Sequence, residues 1–124
     1  MQGLLILKWI GLSVPKVIVE IGSNTGRTTE EIGLLFPQSK VIGIEWDALM
    51  FEFARTYHTK KCRNVAYARA CIWQPDFWSQ LLPQIDLKEQ HFVDAVITTH
   101  YLHIEHPNIE TIMDNIARLL TPGL

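Results

Sequence analysis

Residues 15–45 read PKVIVEIGSNTGRTTEEIGLLFPQSKVIGIE, and the rest of the chain is arranged around them. Val17-Ile18-Val19 is a short β-branched run between Pro15 and a glycine loop, the pattern of a central strand buried on both faces. The loop, Glu20-Ile21-Gly22-Ser23-Asn24-Thr25-Gly26, has two glycines bracketing small polar residues. Glycine supplies the backbone angles of a tight turn and lets a ligand approach bare main chain. A helix follows, with Ile32, Leu35 and Phe36 on one face and Glu30 and Glu31 in its first half, and Pro37 stops it. Lys40-Val41-Ile42-Gly43-Ile44 is a second buried strand that closes on Glu45. This is a βαβ unit with a ligand loop at the carboxyl end of its first strand.

Glu45 lies 19 residues after Gly26, near the spacing at which a nucleotide-binding unit places an acid on ribose hydroxyls. A carboxylate accepts two hydrogen bonds from a vicinal diol, so the ligand expected here carries a ribose. Glu20, at the strand end facing the loop, disfavours an anionic pyrophosphate and favours a cationic ligand. An adenosyl group bearing a sulfonium and an ammonium meets both requirements.

On these residues the chain resembles the class I S-adenosylmethionine-dependent methyltransferases, whose first motif has the form acid-x-Gly-x-Gly-x-Gly. Here the motif stands as Glu20 to Gly26 with Asn24 in place of the middle glycine, and Asn tolerates the left-handed region better than most residues. The dinucleotide pattern Gly-x-Gly-x-x-Gly fits worse, because Asn24 and Arg27 occupy positions where it needs glycine. The resemblance implies S-adenosyl-L-methionine as cofactor and a Rossmann-like three-layer α/β sandwich on a parallel sheet. It implies a cofactor site made of Glu20, Gly22, Ser23, Asn24, Thr25, Gly26, Glu45, Trp46, Ala70, Cys71 and Thr99.

Composition bounds the alternatives. The 124 residues make one domain at most, read as a single, partial methyltransferase-like cofactor-binding domain. A net charge of −2 without any basic run disfavours extended contact with nucleic acid. Cys62 and Cys71 are too few for a disulfide framework or zinc site, so a reduced, cytoplasmic setting is the default. Residues 1–14, MQGLLILKWIGLSV, are too short to span a bilayer and lack a signal-peptide pattern. They are expected to form a helix covering one face of the sheet.

Downstream, Asp47 is expected to cap a helix from about Ala48 to Tyr57, with Leu49, Met50, Phe53 and Tyr57 as its core stripe. By the resemblance, Trp46 lies against the adenine. Residues 64–71 match the third strand and the loop flanking the adenine; many family members carry an acid where this chain has Ala70, followed by Cys71. Trp73 and Trp78 are candidates for a substrate pocket, against ordinary packing, and a short helix from Asp76 to Leu82 is expected to be closed by Pro83. Residues 92–100 resemble the fourth strand, with Asp94 at its start. Asn108 is expected to cap a helix whose apolar face is Ile109, Ile112, Met113, Ile116 and Leu120.

The end of the fourth strand, Thr99-His100-Tyr101-Leu102-His103, is the expected place of substrate chemistry. His100 and His103 are candidate bases for an oxygen nucleophile, which must lose a proton; a sulfonium otherwise needs only an in-line acceptor. His100, His103 and His106 also invite a metal reading, but only Glu105 supports it, and no metal is expected. Leu102-His103 resembles small-molecule methyltransferases rather than the Asn-Pro-Pro-Tyr nucleic-acid enzymes. The family domain has seven strands; this sequence supplies four, in the expected order 3-2-1-4, without strands 5–7. The fourth strand is then an apolar edge, expected to pair with a second copy or with a missing C-terminal half. Two function classes stand: a small-molecule methyltransferase, and a non-catalytic methyltransferase-like binding or regulatory module.

Overall fold

A computed structural model describes residues 15–58, 61–85, 93–98 and 107–120. Its centre is a parallel sheet of β1 (Val17–Ile21), β2 (Lys40–Ile44), β3 (Val65–Ala68) and β4 (Ala95–Thr98), in the order β3-β2-β1-β4. Four helices connect and cover it: α1 (Arg27–Leu35), α2 (Ala48–Tyr57), α3 (Phe77–Leu81), which runs on into a 3-10 turn Leu82–Gln84, and α4 (Ile109–Leu119). The layers follow from strand alternation. Val17, Val19 and Ile21 join Ile42, Ile44 and Ala68 under Phe77, Leu81, Ile112 and Leu119 of α3 and α4. Ile18 and Val41 face the other way, against Ile32 of α1 and Ala54 of α2. All five residues of β1 are buried, as a strand covered on both faces requires.

Two polar clamps fix the amino ends of these strands. Asp94 Oδ2 accepts the Lys16 and Val17 amides at 2.6 and 2.8 Å, joining β4 to β1. Asn64 Nδ2 donates to the carbonyls of Gly33, Phe36 and Ser39 at 2.9–3.0 Å, tying the end of α1 to the entry of β3.

Several expectations change. The first strand runs on to Ile21, absorbing two residues assigned to the loop. On α1, Ile32 and Phe36 are buried but Leu35 is 47% exposed. The stripe Leu49, Met50, Phe53 and Tyr57 is not core; all four side chains face outward, Leu49 at 84% exposure. The buried face of α2 is Phe51, Ala54 and His58, with Ala54 completely enclosed. A small residue is selected there because α2 crosses closely over the glycine loop, so the larger apolar set is displaced to solvent. The α-helical part of α3 ends as expected at its C-cap Leu82, directly before Pro83, but the chain runs on in a 3-10 turn, where the missing N–H is tolerated. On α4, Met113 and Leu120 are half-exposed, and the polar Asn115 is buried with Ile112 and Leu119. No helix among the described residues is long and apolar enough to cross a membrane.

Candidate functional site

The loop after β1 folds by alternating left-handed residues: Gly22 (φ 77°), Asn24 (φ 52°) and Gly26 (φ 91°). The amides of Gly22, Ser23, Asn24 and Gly26 are spent within the protein. Gly22 and Ser23 N–H both donate to Ile44 O, at 2.8 and 3.0 Å, and Gly26 N–H donates to Ser23 O at 2.9 Å. Asn24 N–H donates to Glu45 Oε1 at 2.8 Å. A pyrophosphate cradle needs such amides turned toward the ligand; in this loop those of Gly22, Ser23 and Asn24 hold the end of β2 instead. Behind the loop, Tyr67 Oη donates to Gly26 O at 3.0 Å, and burial pushes its phenol pKa well above the usual value. His58 pairs there with the Glu30 carboxylate.

Glu45 is the hub. Its second oxygen, Oε2, accepts the Asp47 amide at 2.9 Å, while Asp47 Oδ1 caps α2 through the Leu49 and Met50 amides, each at 3.0 Å. An ionised carboxylate offers about four lone-pair sites. One backbone bond on each oxygen leaves one acceptor site on each, and a vicinal diol offers two donors.

A cleft of about 350 Å³ opens over the carboxyl ends of β1, β2 and β3, lined by Ile21, Gly22, Ile44, Glu45, Trp46, Asp47, Ala48, Arg69, Ala70, Ile72 and Trp73. That volume falls within the roughly 300–1,000 Å³ of small-molecule sites. Its position is the crevice outside the strand ends where open α/β sheets bind ligands. Beyond Glu45 the walls are Trp46 and Arg69: the guanidinium lies 4.8 Å from the indole centroid, and Arg69 Nε donates to Trp46 O at 2.9 Å. Side-chain amides hold the wall after β3 from behind. Gln84 Oε1 accepts the Arg69 amide and Gln80 Oε1 the Cys71 amide, both at 2.8 Å. Asn115 Nδ2 donates to Ile72 O at 2.9 Å and Gln74 O at 3.2 Å, bracketing Trp73.

Of the residues expected around the cofactor, the cleft brings together Gly22, Glu45, Trp46 and Ala70. Asn24 reaches it through its bond to Glu45, with its own side chain exposed like that of Thr25. Glu20 does not face the ligand loop: it is fully buried on the α1 side and accepts the Thr29 hydroxyl at 2.6 Å. The strand's alternation turns it away from the cleft, so the argument for a cationic ligand from this charge falls. Ser23 (2% exposed) and Gly26 pack behind the loop, and Cys71 is fully enclosed with its thiol pKa raised by burial. Trp73 lines the cleft, whereas Trp78 stands against Phe77 and Arg118. Thr99, His100, His103, Glu105 and His106 lie outside the described residues, and among the described ones no group of three or more acidic, Cys or His side chains is placed to hold a metal. Sequence reasoning missed Arg69, Gln80, Gln84 and Asn115, and read Asp47 only as a helix cap. For Gln80 and Asn115 the signal was a polar residue on an otherwise apolar helix; Arg69, in the loop after β3, gave none.

The sheet order, the loop and the acid at the end of β2 define a nucleoside-binding α/β domain. The chain belongs to the Methyltransferase domain family, which matches residues 18–123. It is 27% identical over 95 residues to trans-aconitate 2-methyltransferase of Methylobacterium radiotolerans, covering 64% of this chain and 36% of that enzyme, so it spans about a third of that relative. Among solved structures it is similar to human N-acetylserotonin methyltransferase in complex with SAM, with a TM-score of 0.67 and 17% identity over 99% of this chain and 32% of that one. Precorrin-6y C5,15-methyltransferase from Geobacter metallireducens is similar too, with a TM-score of 0.63 and 22% identity over 95% of this chain and 55% of that one. At these identities the structural likenesses show the fold.

Proposed function

We propose that this chain is the cofactor-binding part of an S-adenosylmethionine-dependent methyltransferase acting on a small molecule. The carrying observation is Glu45, whose two oxygens each keep one acceptor site after binding the Asn24 and Asp47 amides. These sites suit the two ribose hydroxyls of an adenosyl group, with the base directed past Glu45 toward Trp46 and Ala70 and the amino-acid end toward Gly22. The internally spent loop amides favour this ligand over a dinucleotide. The family membership and the SAM-bound structural neighbour support the same reading. When bound, S-adenosylmethionine supplies a methyl group already activated by its sulfonium.

β4 pairs with β1 in parallel, with its last residue Thr98 opposite Ile21 of the cleft wall. This supports His100 or His103 as the residue that takes a proton from an oxygen acceptor. Trans-aconitate and N-acetylserotonin, the acceptors in the names of two similar enzymes, are small molecules.

Calorimetric titration with S-adenosylhomocysteine, with NAD as control, tests the cofactor. The expected result is adenosyl binding alone, lost in Glu45→Ala and weakened in Glu45→Gln. No binding, or binding indifferent to position 45, refutes the reading. A methyltransferase-like binding module is the second reading, favoured by the lack of a carboxylate at Ala70. Methyl transfer from labelled cofactor to any acceptor decides against it.

A further inference from the structure

Resting on the adenosyl reading of the cleft, we infer that Arg69 is the side chain that reads the base, and that it reads acceptors rather than the 6-amino donor of adenine. With the ribose on Glu45, the base lies between the end of β2 and the end of β3. The polar groups of that region are few. The backbone amides on either side of Ala70 are unavailable, because Gln84 Oε1 holds the Arg69 N–H and Gln80 Oε1 the Cys71 N–H. Ala70, Ile72 and Trp73 add methyl, aliphatic and aromatic surface. Asp47 is the remaining acid, but its Oδ1 caps α2 and points the carboxylate at the helix start.

Among the side chains there, Arg69 is the exception. Its guanidinium is held against the Trp46 indole, with Nε spent on Trp46 O, and neither Nη has a partner among the described residues. An arginine so held is a fixed fork of donors with no acceptor capacity. Adenine presents N7 as an acceptor beside a 6-amino donor, which matches only one tine of that fork. Hypoxanthine presents N7 beside O6, two acceptors, which is the pair that arginine binds bidentately in base recognition. Trp46 and Arg69 thus form a wall that stacks any purine and hydrogen-bonds the 6-oxo form at least as well as the 6-amino form.

The test compares S-adenosylhomocysteine with its deaminated analogue S-inosylhomocysteine by calorimetry, on the unaltered chain, Arg69→Ala and Asp47→Asn. The expected result is an affinity for the inosyl ligand within tenfold of the adenosyl one, or better. Arg69→Ala should then weaken the inosyl ligand by about tenfold and the adenosyl ligand by less, while Asp47→Asn leaves their ratio unchanged. A preference for the adenosyl ligand above tenfold overturns the inference, as does a ratio indifferent to Arg69. A preference that disappears in Asp47→Asn assigns base reading to Asp47 and overturns it too. Failure of both ligands to bind the unaltered chain refutes the cofactor reading itself, together with this inference, and so is distinct from binding with the wrong selectivity.

Discussion

Replacing Gly26 by alanine should unsettle the site from behind without touching the cleft. Gly26 sits at φ 91°, where an L-residue is strained by about 1–2 kcal/mol. A Cβ there would stand 2.6 Å from Tyr67 Oη, 2.9 Å from Ala54 Cβ and 2.9 Å from His58 Cδ2. Two of these belong to the buried face of α2 and one to β3, so relief requires moving a packed helix; overpacking of this kind costs about 1–3 kcal/mol. Together the loss should be about 2–5 kcal/mol, a large part of the roughly 5–15 kcal/mol that holds a typical domain. In thermal unfolding followed by circular dichroism, that is a fall in Tm of about 8–20 °C for a chain of this size. Tyr67→Phe removes the nearest contact along with the bond to Gly26 O, so the double variant should be less destabilised than the two singles added, by about 1 kcal/mol. A Gly26→Ala chain within 0.5 kcal/mol of the parent, or strict additivity with Tyr67→Phe, would refute the packing described for the loop.

Two further outcomes follow from the same structure. Asn115→Ala should lower stability by about 2 kcal/mol, since it leaves the buried carbonyl of Ile72 and the half-buried one of Gln74 short of a donor. Through the looser Trp73 wall it should also weaken S-adenosylhomocysteine, and unchanged binding in the titration counts against that role. Stability should fall at alkaline pH, as measured by urea unfolding at pH 7, 9 and 10.5. Burial raises the folded pKa values of Tyr67, Cys62 and Cys71, so the unfolded chain releases those protons first. The stabilisation is complete below the unfolded thiol value of about 8.5 and declines above it, more steeply past the phenol value of about 10. Tyr67→Phe should flatten the steeper part, and a stability that rises between pH 9 and 10.5 would contradict the assignment.

The βαβ unit was legible because each of its signals is local. β-branched runs made β1 and β2, the positive φ values fell on Gly22, Asn24 and Gly26, and the acid at the end of β2 lay at the expected distance. Asp47 was readable as a cap, and it accepts the Leu49 and Met50 amides. The order 3-2-1-4 came from the resemblance to a family and stands in the sheet. What failed was the facing of side chains. Periodicity found a stripe on α2, but two apolar stripes lay next to each other, and the choice went to the one with Ala54 because close approach to Gly26 rewards the smaller residue.

By itself, then, the sequence determined the strands, the turn chemistry of the loop and the place of Glu45, since propensity, glycine and spacing act over a few residues. Only the tertiary structure decided that Glu20 turns inward to Thr29, that α2 leaves Leu49, Met50, Phe53 and Tyr57 in solvent, and that Arg69 lies on Trp46. It also brought Gln80, Gln84 and Asn115 behind a wall built from other parts of the chain. Those outcomes depend on which elements pack together and how closely, and contacts between separate elements, 9 to 43 residues apart, leave no period in the sequence to read.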